Sequence, residues 1–205
     1  MTMQAGHRRG RRGDHHDWHS SGYVEDWISG DVTRDDERRP LIRRMLALAP
    51  FDPHAIVHVL DVGGGYGVLT EQVLLAFPNA RVALQDYSTP MLEQARQRLA
   101  GYAGRVAFQR RDFTQPDWTE KLGGPFDLAV SGIAIHNLGP NGPIAQVYQG
   151  IFAVLRSGGA FLNLDYPQFA GGIEQHLEWL REAGFERVEH AWEAGMQHAL
   201  AAFRP

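Results

Sequence analysis

The chain has 205 residues, 43% hydrophobic and 21% charged, with a formal net charge of −4; this supports one well-packed domain plus an N-terminal extension and argues against a second full domain. The absence of cysteine excludes disulfides, thiolate metal sites and any reaction that needs a cysteine nucleophile. No run approaches the roughly 18 apolar residues of a membrane span, and the N-terminus lacks the apolar core of a signal peptide, so a cytoplasmic location is expected.

In chain order, residues 1–16 read as a disordered basic and histidine-rich tail, with Arg8, Arg9, Arg11 and Arg12 and no acid among the first twelve. The rest is correspondingly more acidic, which argues against a large nucleic-acid footprint. Lys121 is the only lysine, a bias that points to a GC-rich bacterial coding sequence rather than to chemistry. His15, His16, Asp17 and His19 have the composition of a metal site, but their irregular spacing beside a terminus reads as a solvated segment, and no metal is expected. Helices are expected over Asp17–Ile28 and Arg38–Leu48, forming a helical cap across residues 17–53. Arg34, Arg38 and Arg39 read as a solvated surface paired with Asp35, Asp36 and Glu37.

From residue 54 to 205 strand and helix alternate. Strands are expected at Ile56–Val62, Arg81–Gln85, Val106–Gln109, Phe126–Ser131 and Ala160–Leu164. Helices are expected at Val68–Phe77, Pro90–Leu99, Ile144–Leu155 and Gly172–Ala183. This βαβ series predicts an α/β fold with a parallel sheet, helices on both faces, and ligands bound beyond the carboxyl ends of the strands. Two closing strands, Phe185–Val188 and Gln197–Phe203, have no helix between them, so the last pair is antiparallel.

Residues 59–70 read VLDVGGGYGVLT. An apolar strand ends in Asp61 and breaks into Gly63, Gly65 and Gly67, which permit a tight turn that brings backbone N–H groups to a ligand at a helix start. The dinucleotide fingerprint would need glycine at Val68 and has no use for the acid. Asp61 favours a ligand with a positive end. Here the chain resembles the class I S-adenosylmethionine-dependent methyltransferases, whose first motif has this form. The resemblance runs from about Ile56 to Phe203 and implies a Rossmann-like sheet of seven strands, mostly parallel, with an antiparallel final strand.

S-adenosylmethionine is then the implied cofactor, with S-adenosylhomocysteine as product. Gly63, Gly65 and Gly67 shape its loop, and Asp61 supports its ammonium end. Asp86, at the end of the second strand, takes the ribose hydroxyls. Asp112 holds the adenine amino group with Phe113 packed beside it, Tyr87 and Met91 pack on the adenosine, and Ser131 and Ile133 border the methionine part. His136, in SGIAIHNL, is the titratable group of that strand end and the catalytic candidate, a base for a hydroxyl or amine. Tyr23 and Trp27, at i and i+4 on the first helix, are candidates for lining the substrate cavity together with His136.

SGIAIHNL departs from the Asn/Asp-Pro-Pro-aromatic string of enzymes that methylate the amino groups of nucleic-acid bases, and Ser131 stands where metal-dependent catechol-type enzymes have a carboxylate. The segment Tyr166–Gly172 is shorter than in many relatives, which shifts the exclusion of water to the N-terminal helices or to a second copy of the chain. The expected function is methyl transfer by in-line displacement to an oxygen or nitrogen of a small molecule, without nucleic acid or membrane as partner. A cofactor-binding module with weak or no catalysis and a tRNA or protein methyltransferase are the alternatives.

Overall fold

The computed structural model describes residues 16–205. Seven strands form one sheet: β1 (His58–Val62), β2 (Arg81–Asp86), β3 (Val106–Arg110), β4 (Phe126–Gly132), β5 (Leu155–Asp165), β6 (Arg187–Ala194) and β7 (Gln197–Phe203). Their spatial order is β3-β2-β1-β4-β5-β7-β6. β1 pairs in parallel with both β2 and β4, so the order reverses beside it. β7 runs antiparallel between β5 and β6, as expected for the closing pair.

Because successive strand residues face opposite sides, each central strand supplies two layers. Val59, Val82, Leu84, Val130 and Leu162 face one layer, with α2 (Asp35–Leu46), α3 (Val68–Ala76) and α4 (Thr89–Arg98) packed over it. Leu60, Ala83, Ala129 and Phe161 face the other, covered by α5 (Ile144–Val154) and α6 (Ile173–Glu182). No helix among the described residues is long and apolar enough to cross a membrane.

Several boundaries differ from expectation for local reasons. The first helix, α1, spans Ser21–Asp31, because the Ser20 hydroxyl caps it by accepting the Tyr23 N–H at 3.3 Å. A 3₁₀ turn at Val32–Arg34 leads directly into α2, which begins three residues earlier than its apolar period suggests, with Asp35, Asp36 and Glu37 in the first turn where the helix dipole favours acids. The fifth strand begins at Leu155, the end of the expected helix, and its pairing with β4 shifts between Phe126 and Leu128. β6 starts two residues later than expected and runs past Val188 to Ala194, so Glu193 and Ala194, which the sequence places in the connection, belong to the ladder and the turn falls at Gly195.

Candidate active site

A cavity of about 790 Å³ opens at the carboxyl ends of β1, β2 and β4, beside the reversal of strand order. That volume is in the range of small-molecule and cofactor sites. Gly63 and Gly65 line it with Asp61, Asp86, Tyr87, Met91, Asp112, Phe113, Ile133, His136 and Trp27. Three expected site residues lie elsewhere. Ser131 is buried in the sheet and donates to the Val62 carbonyl at 2.9 Å. Gly67 sits at the start of α3, and Tyr23 does not reach the lining.

The glycine loop is held by the strand beside it. The Gly63 N–H donates to Gln85 Oε1 at 3.0 Å, and the Gly65 N–H to Asp86 Oδ2 at 2.9 Å. Gly65 has φ +52°, and a side chain there would meet nothing within 4 Å, so this residue turns its bare face to open cavity. Gly67 is needed for another reason. At φ +88° it is the left-handed residue before α3, and a Cβ would lie 2.9 Å from Leu99 Cδ1.

Asp61 is fully buried at the end of β1. Its Oδ2 accepts the Thr70 hydroxyl at 2.6 Å, while Oδ1 has no hydrogen-bond partner. Burial raises its pKa to about 7, against the hydrogen bond from Thr70 and with help from the charge of Asp86. An unpartnered buried carboxylate oxygen is costly alone and is satisfied by a cationic donor. Asp86 ends β2. Its Oδ1 accepts the Ser88 N–H at 2.8 Å, so each of its oxygens is fixed by one backbone donor with capacity left for another. Burial pushes its pKa up against those backbone N–H groups. Asp112, just beyond β3, turns its own loop: Oδ1 accepts the N–H and the hydroxyl of Thr114 at 2.9 and 2.7 Å. Phe113 approaches the Gly63 position, its ring carbon 3.3 Å from where a Cβ would stand.

His136 lies in a 3₁₀ turn at Ile135–Leu138, reached through Ile133, which has φ +55° and donates its N–H to the Leu164 carbonyl at 2.9 Å. Asp165, at the end of β5, captures it twice: Oδ2 accepts the His136 backbone N–H at 3.0 Å and Oδ1 lies 2.5 Å from Nδ1. The side chain of Asp165 is only 2% exposed and also accepts the Tyr166 N–H at 2.9 Å. Asp165 did not emerge from the sequence as a site residue, although the signal was present: like Asp61 and Asp86 it is an acid that closes a parallel strand. The short segment after it contributes more than expected. Tyr166 and Phe169 place their rings 5.3 and 6.4 Å from the His136 ring.

The cavity roof comes from the N-terminal residues. Trp18 and Trp27 line it, packed edge to face at 5.2 Å, and the Ser88 hydroxyl donates to the Trp18 carbonyl. His15 lies outside the described residues; His16, Asp17 and His19 are exposed, as a solvated segment would be, while His16 and Trp18 also line the cavity and His19 packs on Tyr87 at 5.2 Å.

The charged run is a solvated surface only in part: Arg34, Asp36 and Glu37 are exposed, whereas Asp35 is buried and Arg38 and Arg39 are half-buried. Arg38 grips buried Asp31 through two bonds of 2.7 and 2.6 Å, and Arg98 pairs with buried Asp35 at 2.7 Å. Only the Arg39–Asp36 pair, at 3.1 Å, has the exposed character expected. The Tyr66 hydroxyl, from within the glycine loop, donates to both carboxylates at 2.9 and 3.1 Å. Burial would raise the pKa of Asp31, but the hydrogen bond and charge of Arg38 outweigh it and hold the carboxyl below its usual value.

A methyltransferase-domain family model matches residues 60–161, which contain the glycine loop and all three of the first strand-end acids. Among curated proteins, trans-aconitate 2-methyltransferase of Paracidovorax citrulli is 31% identical over 140 residues, covering 66% of this chain and 48% of that one. The chain thus spans less than half the length of that relative. Among solved structures, an O-methyltransferase family protein from Burkholderia thailandensis superposes with TM-score 0.74 at 18% identity, over 91% of this chain and 60% of that one. PigF, solved with SAH, gives 0.70 at 21% identity, over 91% and 60%. At these identities the structural likeness is one of fold; with the sequence match across the glycine loop, it shows that the chain belongs to the class I S-adenosylmethionine-dependent methyltransferases.

Proposed function

We propose that this protein binds S-adenosylmethionine in the cavity and methylates an oxygen or nitrogen of a small molecule, with His136 as general base and Asp165 as its positioning residue. The observation that carries the reading is the pairing of His136 with buried Asp165 at the rim of the cavity into which Asp61 presents an unsatisfied oxygen.

The chain's own donors and acceptors fit the cofactor. Asp61 Oδ1 matches an ammonium, the remaining lone pairs of Asp86 match the ribose hydroxyls, Asp112 and Phe113 serve the adenine, and Gly65 leaves room for close approach. When bound, the cofactor supplies a methyl group already activated on a sulfonium, which leaves orientation and proton handling to the protein.

A carboxylate accepts but does not donate, so Nδ1 of His136 carries the proton in its bond to Asp165 and Nε2 presents a lone pair. That nitrogen takes the proton from an acceptor hydroxyl or amine, and Asp165 steadies the imidazolium that results. Tyr166 and Phe169 flank the ring at 5.3 and 6.4 Å, and Trp18 and Trp27 line the same cavity. A concave cavity of about 790 Å³ and the departure of SGIAIHNL from the base-methylating string favour a small acceptor over a nucleic-acid base.

The test pairs calorimetric titration of S-adenosylhomocysteine with a screen for transfer of labelled methyl to a metabolite library and to RNA. Saturable binding in the wild type, retained in His136→Ala, with small-molecule turnover lost in that variant, is expected. No binding to the wild type would overturn the reading, and turnover of RNA alone would replace its acceptor class.

A further inference from the structure

The hairpin of β6 and β7 gathers three metal-ligating side chains that the sequence separates. In a regular strand His190 and Glu193, three residues apart, would point to opposite faces. The pairing slips between His190 and Trp192, leaving Ala191 as the extra residue of a β-bulge, so His190 (opposite Leu200) and Glu193 (opposite His198) share one face. His198 stands between them. Its Nδ1 lies 3.1 Å from His190 Nε2 and 3.7 Å from Glu193 Oε2, and one ligand atom from each residue falls within 4.8 Å of the others.

A tetrahedral zinc with ligands at roughly 2.0–2.1 Å holds neighbouring ligand atoms about 3.3 Å apart. The two observed separations lie on either side of that value. We propose that His190, Glu193 and His198 form a binding site for a divalent ion of the zinc class, with water in the fourth position. Two imidazoles and a carboxylate suit such an ion better than calcium or magnesium, which prefer all-oxygen sets.

Binding replaces the present contact between the two rings. Both facing nitrogens must offer lone pairs, so the ring that donates in that contact carries its proton on its other nitrogen once the ion is bound. Glu193 offsets part of the added charge. The ion would fasten β6, the last strand of the sheet, to β7. His198 is in turn the register partner of Asp165 on β5, so the fastening lies one strand from the residue that orients His136.

The experiment titrates the full-length protein, free of any histidine tag, with Co²⁺ and then Zn²⁺. One equivalent of Co²⁺ with the intense visible bands of four-coordinate geometry is expected, displaced by Zn²⁺. Affinity should fall at least about tenfold in His190→Ala and in Glu193→Gln, and Zn²⁺ should raise Tm in the wild type only. His190 and Glu193 are exposed, so both variants keep the fold, which circular dichroism verifies. Failure to bind at submillimolar metal overturns the proposal, as does binding left unchanged by both variants, which would place the metal on other histidines.

Discussion

Asp165 holds His136 by the backbone and the ring at once, at 3.0 and 2.5 Å, so the same buried carboxylate fixes where the imidazole sits and which nitrogen carries its proton. Asp165→Asn keeps the size but offers an amide that favours the opposite tautomer. Methyl transfer should fall on the order of 10²-fold. Affinity for S-adenosylhomocysteine should stay within about twofold. An altered pH–rate profile distinguishes lost orientation from general loosening, which would weaken ligand binding as well.

Asp61 sets a conflict between stability and binding. Burial raises its pKa from the ordinary carboxylate range to about 7 in the folded protein, so the native state holds a proton more tightly than the unfolded chain. Its stabilising contribution is complete below about pH 4 and is lost as pH rises through about 7. Asp61→Asn mimics the protonated form. The ligand-free variant should match the wild type in Tm only below about pH 4, exceed it by a few degrees at pH 8, and lose most S-adenosylhomocysteine affinity at both. Thermal scans at the two pH values check the first part and calorimetry the second.

Two glycines of one loop should fail differently. Gly65→Ala meets open space, so its stability cost is only the left-handed strain, about 1–2 kcal/mol, while the added methyl occupies the ligand's side. Its affinity should fall more than tenfold. Gly67→Ala, pressed on Leu99 at 2.9 Å, should lose about 2 kcal/mol or more of stability with affinity nearly intact. Denaturant melts beside calorimetric titrations separate the two, and equal affinity losses would contradict the assignment.

Tyr66 ties the first two helices to the glycine loop through Asp31 and Asp35. Tyr66→Phe removes the donor to two buried carboxylates and should cost about 1–3 kcal/mol. Limited proteolysis should find the first cleavage between α1 and α2, earlier than in the wild type, because those helices lose one of their ties to the domain while the Arg98–Asp35 pair remains.

The sheet was legible because strand and helix alternate with distinct periods and because acids close the strands: Asp61, Asp86 and the short reach to Asp112 fall where a strand-end rule puts them. The same rule would have found Asp165, but that acid carries no glycine loop to draw attention to it. Ser131 was misplaced because alternation along β4 aims it at the Val62 carbonyl, not into the cavity. The Arg38–Asp31 and Arg98–Asp35 pairs were hidden. A 3₁₀ turn lies between Asp31 and Arg38, and Arg98 comes from another helix, so no single helical face contains these contacts. The bulge at Ala191 was hidden likewise, since only the neighbouring strand defines it.

Ile133 adds a constraint of another kind. A β-branched residue at φ +55° costs on the order of 1–2 kcal/mol that glycine would not, yet the chain holds it there, three positions before His136. Glycine at 133 would relax the backbone and widen the range of directions the turn can take. A fold optimised for heat resistance and one optimised for a fixed imidazole would therefore choose different residues at this position, and the isoleucine sides with the imidazole.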